Sequence, residues 1–145
     1  MTMKRSGSAV WFGDLRTGDG SLTARSGALD QIPYNYANRF ENSPGTSPEE
    51  LMATAHAGCY TMAVCAALSS AGFNPTRLAT QAVMDLELVD GLWTLTASHL
   101  EMRAAVPGIS AERFAAIAGE AGKTCPVSRA LKVEITLDAQ LDSDR

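Results

Sequence analysis

The chain reads as an α+β protein with mostly antiparallel sheet, and three features of the sequence lead there. Strand-like and helical segments are segregated rather than alternating: strands, a long helix, strands, a second helix, a last strand. That order disfavours a doubly wound parallel sheet, in which strands and helices take turns. Asp90-Gly91 joins two runs rich in β-formers, and the dipeptide tolerates the positive φ of a tight hairpin turn. The long helix is small and apolar on nearly every side, so it must be covered on every side. One sheet from 145 residues is a poor cover for such a helix. An obligate homodimer built around it is therefore expected.

Each element has its own local justification. Residues 8–15 are rich in β-formers, glycines punctuate at Gly18 and Gly20, and "SLTARSGAL" alternates apolar and polar, which together suggest an N-terminal hairpin or meander. "QIPYNYANRFENSPGT", residues 31–46, is dense in Pro, Asn, Gly and aromatics and reads as a long loop carrying Arg39. In "SPEE", Ser47 is placed as an N-cap, Pro48 as the first helical residue and Glu50 as the partner that completes a capping box. The helix then runs to about Gly72. Residues 80–89 and 92–106 form the predicted hairpin. Ser110 caps a second helix to about Gly122, "TCPVSRAL" makes one short helical turn, and "KVEITLDAQL" closes as a strand. No repeat, low-complexity tract or linker interrupts this, so a single domain over residues 1–145 is expected.

Composition narrows the function. With 46% hydrophobic residues, 19% charged residues and a net charge of −4, the chain lacks the concentrated basic face that nucleic acid requires. Neither a signal peptide nor an apolar run approaching the roughly 20 residues of a membrane span is read, so a soluble, cytoplasmic protein without a membrane partner is expected. The nucleotide-binding, dinucleotide-binding, serine-hydrolase, zinc-protease and C-x-x-C motifs are all absent.

What remains chemically is Cys59, Cys125, Arg39, Glu49 and His56. Cys59 lies mid-helix, where burial alone raises a thiol pKa and leaves it inert, so it is either a core residue or a nucleophile to which a cation is brought. Arg39 is the natural cation, or simply a solvated loop arginine. Cys125 directly precedes Pro126, near the N-cap of a short helix, where free amides stabilise a thiolate; local physics makes it the more acidic thiol. Glu50 is assigned to the cap, which leaves Glu49 free to pair with an arginine or with water. His56 is one turn before Cys59, either a satisfied core histidine or a hydrogen-bond partner near the thiol. Cys65 lies about 600° further around the helix than Cys59 and is read as packing. A zinc site from His56, Cys59 and Cys125 lacks the paired short spacings of metal sites.

"RFEN", "SPEELMATAHAGC", "AVPGIS" and "CPVSRAL", together with "WFGDL" near the start and "ITLDAQL" near the end, closely resemble the OsmC/Ohr family of thiol-dependent hydroperoxide reductases. "HAGC" and Arg39 within "RFE" resemble its OsmC branch. The resemblance implies an intertwined α+β homodimer with mostly antiparallel sheets wrapped around two central buried helices, Cys59 as the peroxidatic thiolate, Cys125 as the resolving thiol, and Arg39 with Glu49 as the charged pair that activates Cys59 and orients the peroxide. It implies reduction of organic hydroperoxides, and more weakly of hydrogen peroxide, in oxidative or osmotic stress. An external dithiol (a lipoyl group, thioredoxin or a small thiol) then restores the enzyme, with no metal or other cofactor. The rival reading is a non-enzymatic, stress-induced dimeric binding protein with packing cysteines.

One expectation comes from helix geometry. Glu49 and Cys59 are ten residues apart, about 15 Å along an α-helix, a long way for one arginine to bridge. The Glu49 serving a given Cys59 is thus expected from the partner subunit, with the two helices packed antiparallel; Arg39 paired to Glu49 of the same chain that donates that Cys59 would overturn it.

Overall fold

The N-terminal segment folds as a meander: β1 (Gly7–Phe12), β2 (Asp19–Ala24) and β3 (Ile32–Asn35) pair antiparallel in the order β1-β2-β3. Gly20 explains its register. It lies opposite Trp11 on one neighbour and Tyr34 on the other, and a Cβ there would fall 2.7 Å from the Trp11 ring and 2.8 Å from the Tyr34 ring. The two aromatics close over the glycine edge to face, with centroids 5.4 Å apart. The expected loop after β2 is therefore partly ordered: β3 opens it, and α1 (Tyr36–Phe40) follows. Asn35 caps α1 by accepting from Asn38 N, while the Asn38 side chain accepts from Asn35 N, both at 2.9 Å. This reciprocal box uses asparagine where serine and glutamate are the usual signature, so the segment resembles a loop in sequence.

The computed structural model describes residues 1–143. The chain forms two compact units, residues 1–51 and residues 52 onward, the boundary falling in the first turn of α2 (Pro48–Ser70). The expectation of a single domain is not decided by that division. Ser47 caps α2 by accepting from Glu50 N at 3.1 Å, and Glu50 Oε1 accepts from the Thr46 hydroxyl at 2.8 Å. The helix ends in a Schellman arrangement: Phe73 N donates to Leu68 O, Gly72 N donates to Ser69 O, and Gly72 takes φ +86°, where only glycine is unstrained.

In the second unit β4 (Arg77–Val89) and β5 (Leu92–Ala105) form the expected hairpin through Asp90 and Gly91, both at positive φ. α3 (Ala111–Thr124) is capped by Ser110, and the short α4 (Pro126–Ala130) leads to β6 (Glu134–Leu141). β6 pairs with β5 in parallel, since α3 and α4 return the chain to the end from which β5 set out. The core gathers Tyr60, Val64 and Leu68 of α2, Leu100, Met102 and Ala104 of β5, and Phe114, Ala118 and Ala121 of α3. Each large apolar side chain buried here contributes roughly 1.5–3 kcal/mol.

Of two expectations about the long helix, cover on every side was assigned to a partner subunit and is not decided by one chain, and the absence of a long apolar run is corrected. Within the chain α2 is not buried all round: His56, Tyr60, Val64 and Leu68, spaced by four, form its buried stripe, while Met62 is 75% exposed. Nor is its apolar run short. Pro48–Ser70 has 23 residues and a mean hydropathy of 1.4 over its best 18-residue window, so by length and composition alone it is enough to cross a membrane. Interleaved Ala, Gly, Ser and Thr disguise the run by eye, and no charged side chain interrupts it after Glu50.

Candidate functional site: a thiol pair and an ion pair

Cys125 occupies a junction made by its neighbours. It ends α3, donating its backbone N–H to Ala121 O, and it begins α4 as N-cap, with Pro126 at the first position. The Ser128 N–H donates to its sulfur at 3.5 Å. Burial of this fully enclosed thiol pushes its pKa up, but amide and hydroxyl donors from Ser128, the Cys59 thiol and the Val127 amide outweigh burial, and the net shift is downward. This agrees with the sequence argument that Cys125 is the more acidic thiol.

Cys59 stands opposite on α2, half-buried against the core. Its pKa is pushed up, first by burial, then by hydrogen bonding to Cys125 and by the charge that Cys125 carries; the Val127 amide opposes this. Each of the two thiols thus shifts the other, raising Cys59 and lowering Cys125. Both cysteines that sequence singled out are brought together. Cys65 is exposed on the other side of the helix, so it does not pack within the chain as expected. Among the described residues no three His, Cys, Asp or Glu side chains are grouped to hold a metal ion.

In the first unit, α1 presents Arg39 to the start of α2. Arg39 Nε and Nη2 both donate to Glu49 Oε1, at 2.8 and 2.6 Å, and the guanidinium lies 5.1 Å from the Phe40 ring. The Glu49 side chain is only 12% exposed, and its second oxygen, Oε2, is buried with no hydrogen-bond partner within the chain. Such an orphan is uncommon and marks an acceptor still open to a donor. The pair closes within one chain. α1 ends just ahead of α2 and so delivers the arginine to its own chain's carboxylate; the expectation that the Glu49 serving Cys59 comes from the partner subunit is not decided by that pair. Arg39 also lines a cavity of about 280 Å³ with Trp11, Leu15, Tyr34, Tyr36 and Phe40.

Sequence reasoning missed Ser98 and Ser128. His56 is fully buried, with Nδ1 2.7 Å from Ser98 Oγ and Nε2 2.8 Å from Ser128 Oγ. Ser128 had a signal, being three residues after a candidate N-cap cysteine. Ser98 had none, since it reaches His56 only through β5.

Residues 40–140 match the family described as OsmC-like protein. The chain is 46% identical over 143 residues to Peroxiredoxin OsmC of Escherichia coli (strain K12), an alignment covering 99% of this chain and 100% of that protein. Peroxiredoxin OsmC of Shigella flexneri matches with the same identity, 46%, and the same coverage. Among solved structures, an OsmC-like protein of unknown function from Vibrio cholerae superposes with a TM-score of 0.77 at 14% identity, covering 96% of this chain and 100% of that one. An organic hydroperoxide resistance protein from Elizabethkingia anophelis gives a TM-score of 0.74 at 20% identity, covering 99% and 100%. At those identities the structures speak to the fold, which is the α+β fold expected; the sequence matches reach further, and the chain belongs to the OsmC-like protein family.

Proposed function

We propose that this chain is a two-cysteine peroxidase that reduces organic hydroperoxides, with Cys59 as the peroxidatic and Cys125 as the resolving residue. The observation that carries the reading is the pairing of two unlike thiols, each shifting the other's titration, one half-buried and one enclosed. The Cys59 thiolate attacks the terminal peroxide oxygen, the O–O bond breaks, and the departing alkoxide takes a proton to become the alcohol. Cys59 is left as a sulfenic acid. The Cys125 thiolate then attacks that sulfur, the S–S bond forms, and hydroxide leaves and is protonated to water. An external dithiol reduces the disulfide; a lipoyl group, thioredoxin and a small thiol are the reductants to compare.

Since burial and Cys125 push the Cys59 thiol up, activation requires a cation that favours its thiolate. Arg39 is assigned that role, Glu49 holding its guanidinium and offering the open Oε2 to the hydroperoxide O–H. The aromatic cavity beside Arg39 favours an organic substituent over hydrogen peroxide. A homodimer is proposed from the uncovered apolar side of α2, including Met62, with sedimentation as its check. Three free cysteines fit a reducing compartment, and the cytoplasm is proposed on that ground.

The test is sulfenic acid trapping with dimedone after cumene hydroperoxide. Cys125→Ser is expected to accumulate the adduct on Cys59 and to stop before the disulfide, while Cys59→Ser forms none. Equal labelling of all three cysteines would favour the packing, non-enzymatic reading.

A further inference from the structure

His56 is enclosed in the core, titratable, and given no part in the chemistry above. Burial pushes its pKa down, so it is held neutral, and a neutral imidazole has one donor and one acceptor nitrogen. Both nitrogens face hydroxyls, Ser98 on β5 and Ser128 on α4, which leaves two self-consistent arrangements. In one, Ser98 O–H donates to Nδ1, Nε2–H donates to Ser128 Oγ, and the Ser128 proton is free to point elsewhere. In the other, Ser128 spends its proton on Nε2 and Nδ1–H donates to Ser98. Only the first lets the Ser128 hydroxyl donate to the Cys125 sulfur, which the Ser128 amide already approaches at 3.5 Å. The downward shift of Cys125 includes that hydroxyl bond among its causes.

We propose that His56 is a positioning residue for the resolving thiol: in its Nε2–H tautomer, with the Ser98 hydroxyl donating to Nδ1, it leaves the Ser128 hydroxyl free to turn onto Cys125 and hold the sulfur ready to attack. The inference rests on the two-cysteine reading and deepens it. The step served is the one already balanced above, with Cys125 supplying the electron pair and hydroxide leaving Cys59. Besides His56, the titratable neighbours of Cys125 are Cys59 and Tyr60, both on α2; the Tyr60 hydroxyl donates to Ala118 O at 3.0 Å. Neither supplies a fixed positive charge, so the thiolate depends on neutral donors, and losing one is felt.

The experiment separates the two steps by rapid mixing with cumene hydroperoxide, following Cys59 oxidation and disulfide formation independently. Ser128→Ala and His56→Ala are each expected to slow disulfide formation about tenfold while Cys59 oxidation becomes no slower. His56→Gln is expected to recover most of the loss, because its amide N–H lies where Nε2–H did. In a Cys59→Ser, Cys65→Ser background, ultraviolet titration of the Cys125 thiolate should move upward in pH with Ser128→Ala and His56→Ala, and return with Gln. An unmoved titration, absence of rescue by Gln, or equal slowing of both steps would overturn the proposal and leave His56 a core residue. If His56→Ala does not fold, Ser128→Ala and His56→Gln decide the matter. Should the unsubstituted chain show no Cys59 oxidation at all, the peroxidase reading fails instead, and the Cys125 titration still judges the hydrogen-bond chain.

Discussion

Cys59 and Cys125 are the same side chain in opposite settings. Cys59 emerges from the middle of α2, where the amides of its own helix are already spent on the helix and only the Val127 amide reaches it, and its thiol pKa goes up. Cys125 sits where one helix stops and another starts, so unspent amides and a hydroxyl turn to its sulfur, and its pKa goes down although it is the more deeply buried. Burial therefore does not decide thiol reactivity here; the supply of uncommitted donors does. The more acidic thiol is the one that peroxide cannot reach. The reachable thiol needs help from a charge that local backbone cannot provide, and this is the chemical case for Arg39.

Breaking the reachable thiol should have the largest effect. Cys59→Ser is expected to lose peroxide turnover by at least about 10³-fold, measured as alcohol formed from cumene hydroperoxide, because a serine hydroxyl is not ionised near neutral pH. Arg39→Ala comes next, with a loss of about 10²-fold in kcat/KM, and Arg39→Lys should restore only part of it, since an ammonium cannot place two donors on Glu49 and still face a peroxide. Tryptophan fluorescence during urea unfolding checks that these variants remain folded.

The hydrogen-bonded histidine sharpens the comparison through pH. His56 is held neutral by burial, with a pKa below its ordinary 6.5, so the unfolded chain binds more protons than the folded one once pH falls below that value. Stability must then decrease as pH drops through about 6.5 and below. The urea midpoint should fall more steeply between pH 7.5 and pH 5 in the unsubstituted chain than in His56→Gln. The smallest effect is expected at Cys65, exposed and away from the pair: Cys65→Ser should change kcat/KM by less than about twofold.

Much of this was legible because the signals are local. Ser47-Pro48 marks the start of α2, Asp90-Gly91 the hairpin, and Cys125-Pro126 a helix N-terminus, each through residues within one turn of one another. Pairing Cys59 with Cys125 came from the family resemblance rather than from spacing. The parts not legible depend on distant segments. β6 joins β5 in parallel only because α3 and α4 carry the chain back, and Ser98 meets His56 across 42 residues of sequence. The ordered α1 was hidden because asparagines at both ends of its capping box also signal a loop. The intrachain Arg39–Glu49 pair was not legible for a related reason: the arginine's position is set by α1, whose sequence resembles a loop.

The central claim is that two unlike thiols act as one redox unit. Its most direct test is intact mass and free-thiol count before and after one equivalent of cumene hydroperoxide, with peptide mapping of any new bond. Rapid loss of two hydrogens, mapped to a Cys59–Cys125 disulfide with Cys65 still free, is the predicted result. No reaction, or random oxidation of all three cysteines, would contradict it.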